Sequence, residues 1–358
     1  GYRMSRDNVR RDFNDLVEAG DLNRLLREVD RLCERREFED LLNLREMCDH
    51  AVEQRGKQLW PIAEHIAYRV VLEGPPELGG PLVVSGSGRF APGPLSEVAA
   101  SVHFFHDIAP HLPSEHVRMQ VAAERAVRGE DLADQAEASE QEVPWKLVGL
   151  EPAYRLARYT KNHVEVEEPQ VPSGGEAAAP GSGEMTEVGE MTEVGEMTEV
   201  GEMTEVGEMT EDAELEAALL DLVRPWTEES GGTAEAVVVE SGALEAIGAL
   251  EPAAGVTGID LAKALEMMAW AAAGGGAHGR RRGAAYGRFA AWWALAQTCD
   301  LPWPMDPEEH RREIEAVRWF AFEKPDRPAH GWHLGLACSS DAEGWAWALM
   351  AEDQSGPY

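Results

Sequence analysis

The sequence predicts a multidomain protein of mixed α and α+β class. An all-α helical array or bundle covers residues 4–161, an acidic low-complexity linker 162–223, and an α+β domain with a small antiparallel sheet 224–352. Three observations carry this reading. Apolar residues recur at helical spacing through the first part of the chain. A run with no Lys or Arg and 18 acids separates the two ends. After Arg318 the hydrophobic pattern switches to period two. A length of 358 residues fits two domains of ordinary size better than one.

The helices follow in order. Val9, Phe13, Leu16 and Val17 form the first apolar stripe, and Gly20 is its stop. Leu22, Leu25, Leu26, Val29, Leu32 and Cys33 mark the second, over 21–34. Phe38, Leu41, Leu42, Cys48, Ala51 and Val52 mark the third. Leu59, Ile62, Ala63, Ile66, Ala67 and Val70 mark the fourth, with Pro61 tolerated only in its first turn. Short connections predict antiparallel neighbours. A Gly/Pro-rich loop over 74–94 leads to helices at 95–109 and 115–128, and a short helix near 152–160 closes the region.

The second half opens with a strand at 234–240, centred on Val237-Val238-Val239. Helices are predicted at 242–250, 259–272 and 284–298; Thr257 and Asp260 give the second a box-like start. Asp306-Pro307-Glu308-Glu309 opens a fourth helix. Residues 318–323, 332–338 and 345–350 alternate as three strands. The expected result is an antiparallel sheet with helices on one face. Nine of the eleven Trp lie after residue 224, and their Leu, Phe and Ala neighbours place them in the core rather than on a stacking platform.

Acidic residues number 66 against 32 basic ones, for a net charge of −34. That argues against nucleic-acid binding, which needs a positive footprint on the phosphates, and against anionic lipid. More than half of the charge lies in 162–223, so the flanking parts are only mildly acidic. No run approaches the ~18 apolar residues of a membrane-spanning helix, and no apolar run follows the first charges as in a secretory signal. Four scattered cysteines suit a reduced, cytoplasmic setting.

Residues 183–212 hold five hexapeptides, Gly-Glu-Met-Thr-Glu-Val four times and then Gly-Glu-Met-Thr-Glu-Asp. A period of three puts no lasting apolar face on an α-helix, and each interior Gly costs ~1 kcal/mol there. The repeat reads as an acidic spacer. A multivalent bait for a basic or oligomeric protein partner is the alternative.

The one basic cluster is Gly274-Gly275-Gly276-Ala277-His278-Gly279-Arg280-Arg281-Arg282-Gly283, with Arg288 on the following helix. Three arginines offer bidentate donors, and the next helix aims its first amides at the same place. His278, Arg280, Arg281, Arg282 and Arg288 are therefore the candidate anion- or partner-binding residues. The structural alternative is that these arginines offset a helix dipole or pair with the protein's own acids.

Catalytic patterns fail. Gly86-Ser87-Gly88-Arg89-Phe90-Ala91 matches a dinucleotide fingerprint, but Pro92-Gly93-Pro94 stands where its helix should open. His103, His106 and Asp107 share a helical spacing without a closed ligand set. No Gly-x-Ser-x-Gly, His-Glu-x-x-His or Cys-x-x-Cys occurs. The expectation is a non-enzymatic scaffold or adaptor with protein partners, no cofactor and no metal. The alternative is a binder of, or enzyme acting on, a small anionic or phosphate-bearing ligand at the Gly/Arg loop.

Overall fold

A computed structural model describes residues 6–84, 91–135, 142–171, 213–327 and 331–354. The hexapeptide repeats and the Gly86–Phe90 stretch lie outside the described residues.

Four helices open the chain: α1 Arg6–Ala19, α2 Leu22–Glu34, α3 Phe38–Arg55 and α4 Trp60–Glu73. Asp21 caps α2 by accepting the Arg24 N–H, and Gly56 ends α3 in the left-handed region. Their stripes close on one core that includes Phe13, Leu25, Leu32, Leu44 and Ile66. Helix α4 is buried on nearly every side. Ile62, Ile66 and Val70 fill this first core, while Tyr68 and Val71 face a second. Its buried Arg69 is held by Asp30 at 2.6 Å and by Glu73 at 2.5 Å.

The second core gathers α5 Pro76–Gly79, α6 Leu95–Val102, α7 Phe105–Ile108 and α8 Glu115–Val127 around Val98, Phe105, Ile108 and Val121. The helix expected over 95–109 breaks at His103, whose extended backbone ends α6. The helix expected near 152–160 is absent. That stretch runs extended into a two-stranded ribbon, β1 Arg158–Tyr159 with β2 Val164–Glu165. Its side chains serve two cores at once: Tyr154 enters the C-terminal core, while Ala157 and Tyr159 enter the second N-terminal core. A single helical stripe could not face both.

The C-terminal half holds α9 Ala213–Asp221, β3 Thr233–Val239, α10 Ala243–Leu250, β4 Gly255–Ile259, α11 Leu261–Ala273, α12 Ala284–Thr298, α13 Arg311–Ala316, β5 Arg318–Glu323, β6 Trp332–Ser340 and β7 Trp345–Asp353. The five strands pair antiparallel in the order β3-β7-β6-β5-β4. Inward positions of β6 and β7, such as Leu334, Leu336, Trp347 and Leu349, meet α11 and α12. Trp270 stacks on Trp332 at 4.9 Å between centroids, and Trp226 meets both edge-on.

Three details depart from the sequence reading. Helix α10 covers the opposite sheet face, where Ala246 and Ile247 pack on Val237, Val239 and Phe322, so helices lie on both faces. Thr257 belongs to the edge strand β4, paired with Ala321, and Asp260 itself caps α11 by accepting the Lys263 N–H at 2.7 Å. Helix α9 occupies the end of the stretch read as spacer, because Leu215, Ala218, Leu219, Leu222 and Val223 enter the C-terminal core despite the surrounding acids.

The halves share that core. Val127 of α8 and Tyr154 lie within it, and Val143, Leu147, Leu150, Val166 and Val171 pack against its edge. Among the described residues no helix is long and apolar enough to cross a membrane. All four cysteines are free thiols, three of them buried.

Candidate functional site

The loop between α11 and α12 is pinned by its own amides. Ala277 N–H donates to Asp353 Oδ2 at 2.6 Å, His278 N–H to Ser230 Oγ at 2.7 Å, and Arg280 N–H to Glu229 Oε2 at 2.9 Å. The chain then turns through Gly283 at φ +102°, where a Cβ would come 2.5 Å from Glu124 Oε1. Glycine is needed there on both counts.

That turn starts α12 against two buried carboxylates from the N-terminal half. Glu97 of α6 accepts the Ala284 N–H at 3.1 Å, and Glu124 of α8 accepts the Ala285 N–H at 3.0 Å. The first amides of a helix carry partial positive charge and need acceptors. Here the acceptors arrive from residues 187 and 161 positions away in sequence.

Arg281 completes the arrangement. Its Nε donates to Glu97 Oε2 at 2.8 Å and its Nη2 to Glu97 Oε1 at 2.7 Å, a bidentate pair with both side chains buried. Tyr159 OH donates to the same carboxylate at 2.5 Å. Arg128 Nη1 donates to Glu124 Oε2 at 2.9 Å. Burial alone would push the Glu97 carboxyl up, but the charge and hydrogen bonds of Arg281, with Arg128 nearby, outweigh it and hold Glu97 below the usual carboxylate range. Glu124 lacks so strong a partner. Burial and the adjacent Glu97 charge push it up to about 7.

Arg288 makes a parallel contact one turn further along α12. Its guanidinium grips Glu151 at 2.6 and 2.8 Å and donates to the carbonyls of Pro144 at 2.6 Å and Lys146 at 2.8 Å. Trp292 Nε1 adds a bond to Glu151 at 2.8 Å. Every donor on Arg288 that faces inward is used by the chain itself.

Of the five residues singled out by sequence, Arg280, Arg281 and Arg282 line one cleft between the halves, together with Arg224, Glu124 and Tyr286. Arg288 lies in the neighbouring groove with its guanidinium occupied, and His278 is exposed on the loop. Arg281 belongs to the wall of the cleft, since its charge is spent on Glu97. Arg282 lies over the Tyr286 ring at 4.7 Å and donates to its hydroxyl at 2.8 Å. Tyr286 OH in turn donates to Asp221 Oδ2 at 3.0 Å, and Arg224 pairs with Asp221 at 3.0 Å. Arg280 and Arg282 make no ion pair among the described residues.

Sequence reasoning missed Glu97, Glu124, Tyr159 and Glu151. The available signal was a carboxylate inside an otherwise apolar stripe: Glu97 stands before Val98-Ala99-Ala100, and Glu124 follows Val121-Ala122-Ala123.

A second recess lies at the end of the sheet, over Trp270 and Met267. Its charges cancel in pairs: Lys324 with Glu352 at 3.0 Å, and Arg327 with Glu168 and Glu323. His333 in its wall has a buried, unpartnered Nε2, and burial followed by the Arg327 charge lowers its pKa. Among the described residues no group of His, Cys, Asp and Glu is placed to hold a metal ion.

A family model described as a family of unknown function (DUF6183) matches residues 23–355, from α2 to the final strand. No curated protein and no solved structure matches the chain.

Proposed function

The chain belongs to that family of unknown function, and we propose that it binds a small anionic or phosphate-bearing ligand in the arginine cleft where its halves meet. One observation carries this reading. In a chain of net charge −34, the guanidinium groups of Arg280 and Arg282 stand in a cleft with no ion pair among the described residues, although Glu229 lines the same cleft and accepts the Arg280 N–H. Guanidinium groups in such a field ordinarily find an internal acid, as Arg281 and Arg288 do. A binding role rather than catalysis is supported by Glu97 and Glu124, the buried acids here, each of which already accepts from an amide and a guanidinium. A cytoplasmic setting, supported by four free thiols, goes with it.

Calorimetric titration with inorganic phosphate and pyrophosphate tests this. Arg280→Ala with Arg282→Ala should abolish binding while thermal unfolding stays within a degree or two of the parent. Unchanged affinity in that double variant overturns the reading. Arg281 is unsuitable for the test, because its loss would unpair buried Glu97.

A scaffold or adaptor role with other proteins is the second proposal, favoured by the five acidic repeats and by the exposed Phe104 and Val102 at the end of α6. A pull-down comparing the whole chain with one lacking residues 183–212 tests it. A partner lost with the repeats supports a multivalent bait, and no partner in either arm removes this second role.

A further inference from the structure

The arginine cleft does not end at Glu124. Gln120, Ala123 and Ala285 line both it and a second groove that continues between α8 and α12. The continuation is walled by Met119, Val127, Val143, Trp145 and Phe289. Met119, Trp145 and Phe289 are half-buried, with apolar surface left open to the groove. Phe289 is itself backed by Trp303 at 5.7 Å, which meets Trp293 at 5.3 Å. Arg288 beneath this stretch is neutralised by Glu151, and exposed Glu142 lines its rim. The groove therefore has its unpaired guanidinium groups, beside Glu229, at one end and a mainly apolar lining beyond.

Two features fit this polarity to a ligand. From Glu124 back to His116 the α8 wall is about 12 Å long at ~1.5 Å per residue, the reach of a medium-length acyl or aryl chain. Gln120, where the two stretches meet, has its amide nitrogen 3.3 Å from His116 Nε2 and its Oε1 buried without a hydrogen-bond partner. An unpaired buried acceptor is costly, and a donor next to a ligand's head group would relieve it.

We propose that the groove takes an amphipathic anion, with the charged head at Arg280 and Arg282 and the apolar body along Met119, Trp145 and Phe289. This rests on the anion-binding reading above and extends it to a ligand class. Charge sets the orientation: the second groove offers exposed Glu142 and an Arg288 already paired with Glu151, so the head has its unpaired guanidinium groups at the loop end.

The test is a calorimetric series at one pH and salt concentration, below any micelle formation: inorganic phosphate, octyl phosphate, octanoate and octanol. Octyl phosphate should bind at least tenfold more tightly than phosphate, a gain that burial of two methylene groups already supplies. Phe289→Ala should erase that gain and leave phosphate affinity unchanged. Arg280→Ala with Arg282→Ala should remove octyl phosphate binding. Octanoate binding as tightly as octyl phosphate supports a generic anionic head, and weaker binding supports a phosphate. If phosphate binds and the octyl chain adds nothing, the ligand class is overturned while the anion reading stands. If octanol matches octyl phosphate, the head-group assignment is overturned. If none of the four binds, both readings fall.

Discussion

Glu97→Gln is the most informative single change in the molecule. The Glu97 side chain is fully buried and that of Arg281 is 5% exposed. The amide keeps the shape of the carboxyl but removes its charge. It leaves the Arg281 guanidinium buried and uncompensated, and it turns an NH2 group toward donors from Arg281, Tyr159 or Ala284. Breaking one side of a buried pair costs about 3–5 kcal/mol. At roughly 2 °C per kcal/mol for a chain of this size, the melting temperature falls by about 6–10 °C. Far-UV circular dichroism on heating reads this directly. Two controls separate a latch from a surface pair. The loss should persist in 0.5 M salt, since water is excluded from the pair. Glu97→Leu with Arg281→Met removes both charges and should recover to within ~1 kcal/mol of the parent. A loss under ~1 kcal/mol, or one that salt abolishes, is the behaviour of an exposed pair and refutes the assignment of Glu97–Arg281 as the joint between the halves.

Glu124 predicts a pH dependence. Its folded pKa of about 7 lies above the ordinary 4.5, so the folded state holds the proton more tightly. The stability this gives is complete below pH 4.5 and is lost as pH rises through about 7. The histidines His65, His103 and His333, whose pKa values burial lowers, act oppositely near pH 6, so the reading is the difference: from pH 5 to 8 the urea midpoint of the parent should fall relative to that of Glu124→Gln. Glu97, held below the ordinary range, acts oppositely and only at lower pH, so the two windows do not overlap. Gly283→Ala meets both a φ of +102° and the Glu124 carboxylate. It should cost at least ~1–2 kcal/mol in equilibrium urea unfolding.

The helical and strand patterns were legible wherever one element faces one core. The stripes of α2 and α3 read directly, because period and burial agree there, while α4, β6 and β7 are legible as elements although each also packs on a second core. Misreadings came where the local spacing or composition imitates another element. The Glu151–Tyr159 strap divides its side chains between two cores, so its spacing resembled a helix without being one. Helix α9 was hidden by composition: its Glu and Asp residues continue the acidic run, and only the Leu215, Ala218, Leu219 spacing marks it as part of a core. Edge strand β4 reads Gly-Val-Thr-Gly-Ile, and its two glycines suppress the β signal that pairing with β5 supplies.

The site was half legible for a physical reason. Three consecutive arginines before a helix announce that an anion belongs at that point, and this much is local. Which anion arrives is decided by tertiary structure. Glu97 and Glu124 reach the first amides of α12 from the other half of the chain, and nothing near residue 283 encodes them. With 66 acids in the sequence, their number gave no guidance. Their setting did, since a carboxylate flanked by Val and Ala on a buried helix face is costly unless paired. The same rule sorts the arginines: Arg281 and Arg288 are buried and satisfied by the chain, while Arg280 and Arg282 stay at the cleft surface. Buried pairing thus assigns the first two to holding the halves together. It leaves the second two without an ion pair among the described residues, and the proposal that they hold a ligand is what the Arg280 and Arg282 variants probe without disturbing the joint.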